Sequence, residues 1–122
     1  MRLDRVTLDA ALRSSRLAAF GFPRADGARS AEGPLAVLSL REAGSMLFRH
    51  GVANRERADF FRSLGVAPER VAALELVHSK DVFWPERAGE LDGRSGDGIV
   101  VRDRTLVPAV TVADCMPIWI YH

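Results

Sequence analysis

The apolar positions of this chain change period along its length, and each change marks an element. Leu8, Ala11, Leu12 and Leu17 recur at a loose helical spacing, which predicts a helix over residues 7–20. Residues 21–33, rich in Gly, Ser, Ala and charge, read as loop. The apolar run at 35–40 predicts a short strand, and 46–48 a second one. Residues 54–64 carry the clearest helix: Asn54 can cap it, Phe60, Phe61 and Leu64 gather on one side, and Gly65 can end it in the left-handed conformation. Beyond Pro68, strands are expected at 71–77 and 82–84, followed by a glycine-bearing polar loop at 89–98. Residues 99–102 and 106–113 then read as a hairpin turning at Asp103-Arg104, and 118–121 as a last strand.

The run 106–113 barely alternates, as expected of a strand covered on both faces. No repeat or low-complexity tract interrupts the order of elements. That order predicts one α+β domain over residues 1–122, with a mixed, largely antiparallel sheet layered with helices. The apolar end, Pro117-Ile118-Trp119-Ile120-Tyr121, has nothing after it to cover it. Either this strand is internal to the sheet, or the domain is the front part of something longer; left exposed, the strand could also self-associate.

Composition narrows the function classes. At 122 residues, 48% hydrophobic and 27% charged, the chain can bury an ordinary core. A net charge of +1 argues against a dedicated nucleic-acid surface. No run approaches the ~20 apolar residues of a membrane span, so no membrane partner is expected. A single cysteine excludes an internal disulfide and suits a reducing, cytoplasmic setting.

Chemistry concentrates at a few positions. Cys115, in Thr111-Val112-Ala113-Asp114-Cys115-Met116-Pro117, sits between an apolar run and a proline. A thiol placed so serves as a soft metal ligand or a nucleophile, or simply as a small buried hydrophobe. Asp114 beside it is poor core design unless hydrogen-bonded or functional. His78, in Val77-His78-Ser79, follows a similar apolar run, as a ligand, a base or a satisfied structural histidine. Asp97 lies between Gly96 and Gly98, where glycines permit positive φ or close approach to a ligand, and an ordinary polar turn is the alternative. Arg24 is a candidate anion binder, whereas His50 and His122 read as surface residues.

Taken together, these segments resemble the YfiH/YlmD-like proteins, also called laccase-domain proteins or multi-copper polyphenol oxidases. The resemblance covers residues 20–122. It rests on Val77-His78-Ser79, on Gly96-Asp97-Gly98, and most of all on Thr111 to Pro117 as a Thr-x-Ala-Asp-Cys-x-Pro signature. Asn54-Arg55 with Phe60, Phe61 and Leu64-Gly65 is similar to the family's Asn-Arg helix, and residues 24–40 more weakly to its first segment. Leu76 stands where a glutamine is common, and Ser39 where asparagine is usual.

The resemblance implies a CNF1/YfiH-like fold and a purine nucleoside phosphorylase using zinc rather than copper. Zinc would be held by His78, Cys115 and a second histidine in a His-x-Gly-Trp segment that this sequence does not contain. Adenosine would be the lead substrate with phosphate, then inosine, guanosine and 5′-methylthioadenosine, with adenosine deamination as a related hydrolase activity. Cys115, His78 and Asp114 would be catalytic, and Arg24 and Asp97 would bind substrate. Two other readings stay open: a metal-free hydrolase with Cys115 activated by His78, and a non-catalytic partial domain. Copper oxidase chemistry ranks last, because three histidines are few for a multicopper centre.

Overall fold

The computed structural model describes residue 10, residues 13–22, residue 26 and residues 33–122. Leu17–Gly21 (β1) pairs antiparallel with Leu35–Ser39 (β2), Leu17 facing Ser39 and Gly21 facing Leu35. This corrects the helix expected over 7–20. Ala10 is helical, but Leu17 to Phe20 are extended, and residues 7–9, 11 and 12 lie outside the described residues. An apolar run such as Leu17-Ala18-Ala19-Phe20 suits either geometry; pairing with β2 and burying Leu17 against Leu64 and Val66 decides it. Most of the loop expected at 21–33 is likewise outside the described residues.

The expected helix at 54–64 is present as Arg55–Ser63 (α1), with the ends that the sequence announces. Asn54 Oδ1 accepts the Arg57 amide at 3.2 Å, an N-cap, while its Nδ2 donates to the carbonyls of Ser45 and Leu47 at 2.9 and 2.8 Å. Those two bonds tie down the approach to the helix. Residues 46–48 are therefore held by a side chain and form no strand, a correction to the second strand expected there. At the far end Gly65 takes φ +71°. The Gly65 amide donates to Arg62 O and the Val66 amide to Phe61 O, both at 3.0 Å, which closes a Schellman motif.

The remaining strands are short. Val71–Ala73 (β3) and Val107–Ala109 (β6) pair in parallel, as do Val82–Phe83 (β4) and Gly98–Ile99 (β5). An isolated parallel bridge joins Glu75 to Ser95, and a 3₁₀ turn at Ala88–Leu91 occupies part of the expected loop. The fold is thus mixed α/β, with small sheets. The sheet expected to be single and largely antiparallel is replaced, among the described residues, by three two-stranded pairs of which two are parallel.

The hairpin over 99–113 is also corrected. A turn does form: Asp103 accepts the Leu106 amide on its carbonyl at 3.1 Å, and Asp103 Oδ1 accepts the Thr105 amide and hydroxyl at 2.8 Å each. It delivers the chain to a different partner: Val107 to Ala109 pair with Val71 to Ala73, and Val107 packs against the cluster of Leu17, Leu64 and Val66. Residues 118–121 form no strand.

Strand β3 stands between two apolar clusters. Val71 packs with Leu17, Leu64 and Val66, whereas Ala72 and Leu74, nearly inaccessible, pack with Leu91. Phe83 and Ile99 close the second cluster, so the core sits directly behind the segment that leads to His78. No described helix is long and apolar enough to cross a membrane.

Asn54→Ala should cost about 1–2 kcal/mol in urea unfolding, at the upper end for a cap because two loop hydrogen bonds go with it. Equal stability of parent and variant would show that the cap is idle. A second expectation concerns pH. The Thr105 amide, then its hydroxyl, hold the Asp103 carboxyl below its ordinary pKa. A lowered folded-state value contributes stability above about pH 4 that is lost as pH falls through it. The difference in melting temperature between the parent and Asp103→Asn should be constant from neutral pH to about 5 and shrink below about 4.

Candidate functional site

The most ordered constellation of polar groups forms where residues 77–81 meet the turn before β5. His78 has φ +57°, the one described non-glycine residue in the left-handed region. Asp97 faces it. Asp97 Oδ1 accepts the His78 amide at 3.0 Å; Oδ2 accepts the Ser79 amide at 2.6 Å and the Ser79 hydroxyl at 2.8 Å. Ser79 Oγ in turn accepts the Asp81 amide at 3.2 Å, and Asp81 O accepts the amides of Asp97 and Gly98. The two segments are laced in both directions.

Bonds from the Ser79 amide first, then its hydroxyl and the His78 and Val77 amides, hold the Asp97 carboxyl below its ordinary pKa, against a desolvation penalty. The flanking glycines serve packing. A Cβ on Gly96 would lie 2.8 Å from the Phe83 ring, and one on Gly98 2.8 Å from Val82 Cγ2. Neither has positive φ. Close approach, foreseen toward a ligand, is here made to β4.

The second constellation fastens the start of the Thr111–Pro117 segment. Arg57 on α1 lies with its guanidinium 4.7 Å from the Phe48 ring centre and 5.0 Å from that of Phe61. Its Nη1 donates to Thr111 Oγ1 at 3.1 Å, and Thr111 donates to Met46 O at 3.2 Å. Burial lowers the Arg57 pKa, and no described carboxylate pairs with it; the aromatic faces take that part. Beyond this anchor the segment is open. Asp114 and Cys115 are exposed, the thiol is free, and Met116, Ile118 and Ile120 are the most exposed large apolar residues described.

Of the residues singled out in the sequence, the fold brings His78, Ser79 and Asp97 together. No hydrogen bond joins Cys115 or Asp114 to His78, and Arg24 lies outside the described residues. His122 is exposed, as expected. His50 is not the plain surface residue anticipated: its amide donates to Glu75 Oε1 at 2.9 Å and its Nε2 lies 2.7 Å from Arg94 O. Sequence reasoning also missed Arg57. Its only signal was a position between Asn54 and Phe61 on the helix face that bears the aromatics. A cleft of about 260 Å³, lined by Phe83, Trp84, Pro85, Glu90, Leu91 and Arg94, contains none of the expected site residues.

A zinc ion of the catalytic kind needs three protein donors around an open position. Among the described residues no three His, Cys, Asp or Glu side chains converge so, and the His78 imidazole has no hydrogen-bond partner to fix its ring. The described donor set alone therefore does not fit zinc.

Comparison with known proteins adds an independent line. The family described as multi-copper polyphenol oxidoreductase laccase matches residues 49–122. A Streptomyces coelicolor protein named purine nucleoside phosphorylase is 40% identical over 67 residues, which is 54% of this chain and 27% of that protein. The chain thus covers little more than a quarter of that curated relative. No solved structure matches it significantly.

The matched stretch contains both Arg57 and Thr111. Arg57→Lys keeps the charge but loses the planar fork, and should cost about 1–3 kcal/mol in denaturant unfolding. In a double-mutant cycle with Thr111→Val the two losses should fail to add; strict additivity would separate the residues energetically.

Proposed function

The chain belongs to the multi-copper polyphenol oxidoreductase laccase family, and on that premise we propose that it serves a purine nucleoside phosphorylase acting on adenosine. The observation that carries this is the 40% identity to a relative named for that activity. The Thr111–Pro117 segment and the Val77-His78-Ser79 turn, which carry the candidate chemistry, lie within the family match. Inosine, guanosine and 5′-methylthioadenosine are the secondary substrates, with adenosine deamination as a side activity. The fold is inferred to be CNF1/YfiH-like, and the setting cytoplasmic.

In phosphorolysis a phosphate oxygen bonds to the ribose C1′ while the bond from C1′ to the purine nitrogen breaks. The departing base takes the electron pair and must be protonated. His78 is proposed to be the polar group nearest the reacting atoms, with its backbone locked and its ring unpartnered, and so free to meet a ligand. Asp114 and Cys115, exposed in the Thr111–Pro117 segment, are proposed to complete the catalytic set, and Arg24 to neutralise the phosphate.

Zinc, when bound, would supply a Lewis acid at this site. Residues 78 and 115 offer an imidazole and a thiol for it. A further donor from outside the described residues is required, so no step is routed through the metal. Residues 1–122 are proposed to form one domain. The exposed apolar stretch around Ile118 and Ile120 is proposed as its contact with a second copy.

The test measures phosphate-dependent release of adenine from adenosine, with zinc per chain, for the parent and Cys115→Ser. The expected result is turnover that requires phosphate and is lost in the variant; zinc near one per chain in the parent would show that residues outside the described ones supply the missing donor. Neither turnover nor zinc in the parent would sink the reading for this chain. Alkylation-sensitive turnover that survives chelation would favour the metal-free Cys115–His78 hydrolase instead.

A further inference from the structure

A histidine in the left-handed region is uncommon, and its backbone must be held there by something. Asp97 is the device that does so. With φ +57° at His78, the successive amides of His78 and Ser79 point the same way, and one carboxylate spans both. The Ser79 hydroxyl adds a third donor to Oδ2. Asp97 is itself immobilised, since its amide and that of Gly98 donate to Asp81 O, and Gly96 and Gly98 are pressed against Phe83 and Val82. The clamp is thus mounted on the parallel β4–β5 pair, whose Phe83 and Ile99 reach the second apolar cluster.

We propose that Asp97 is a positioning residue: it grips the backbone of His78 and Ser79 and so fixes the direction in which the His78 imidazole leaves the chain. This deepens the functional reading above and rests on it in one respect, that His78 is the group whose direction matters. It replaces the substrate-binding role expected from the sequence. A carboxylate offers about four lone-pair sites, and the His78 amide, the Ser79 amide and the Ser79 hydroxyl already occupy it, leaving little capacity for a sugar or base. Ser79 becomes part of the same device rather than an independent turn cap.

Asp97→Asn tests this, because the amide keeps the shape and one acceptor but presents hydrogens where Oδ2 accepted two bonds. Ser79→Ala, which removes only the hydroxyl, serves as the milder variant should Asp97→Asn fold poorly. Three readouts apply. In amide NMR of the parent, the His78 and Ser79 protons should lie far downfield, and in Asp97→Asn they should move upfield and exchange faster. In denaturant unfolding, Asp97→Asn should lower the midpoint less in a His78→Gly background than in the parent, since glycine needs no clamp to remain left-handed. In phosphorolysis, kcat should fall about 10- to 100-fold with KM for adenosine nearly unchanged, the range seen for groups that orient site ligands.

Unmoved amides, or an equal loss of midpoint in both backgrounds, would overturn the proposal and leave Asp97 an ordinary structural residue. A raised KM with kcat intact would overturn it in favour of substrate binding. If the parent has no phosphorolysis, the functional reading fails by itself. The NMR shifts and the midpoint cycle then still decide the clamp, since neither depends on turnover.

Discussion

A backbone amide taken from water must find an acceptor, and ladders of two or three residues supply few of them. Between Ala73 and Val107 the chain has only β4, β5 and one bridge to offer. Backbone turns supply several more, and side chains take much of what remains. Asn54 satisfies the helix start and two loop carbonyls, Glu75 takes the His50 amide, Asp97 takes two consecutive amides, and Asp103 closes a turn on Thr105. Each of these is a polar side chain bonding to main chain in place of a regular partner, Asp103 locally and Glu75 and Asp97 across 25 and 18–19 residues. The irregular backbone around His78 exists because those bonds are available, and the two apolar clusters behind β3 hold the scaffold on which they sit.

This also explains what was legible in the sequence. The helix at Arg55–Ser63 was readable to within a residue, because its cap, its aromatic stripe and its terminating glycine are local signals that agree with one another. The turn at Asp103 was readable for the same reason. Pairing was not. The segments leading into β5 and β6 look like a hairpin, but Val107 pairs with Val71 and Gly98 with Val82, choices set by burial far away in sequence. Likewise Leu17 to Phe20 form a strand only because β2 is there to receive them. Of the site, the residue types at 78, 97 and 115 stood out, and the structure brought the first two together through a carboxylate bonding to main chain. Periodicity and motif spacing carry no trace of such a contact. Arg57 escaped for a related reason: an arginine on a helix is read as solvated until its aromatic neighbours are seen.

Two ties therefore set the two halves of the candidate site. Asp97 fixes the backbone at His78, and Arg57 fastens Thr111, four residues before Cys115. They differ in kind. The first is a charged acceptor on neutral amides. The second is a cation sandwiched between two rings, for which a lysine is a poor substitute. The first holds its residue directly; the second stops short, leaving residues 113–116 exposed.

That asymmetry bears on how a metal or a substrate would be held. A preorganised group binds at no further entropic cost, whereas a mobile one gives up part of its binding energy to become ordered. With the His78 backbone held and Cys115 on an open segment, position 78 is the better-ordered of the two and the thiol the less constrained. Any contact that covers Met116, Ile118 and Ile120 removes exposed apolar area and narrows the freedom of Cys115 at the same time.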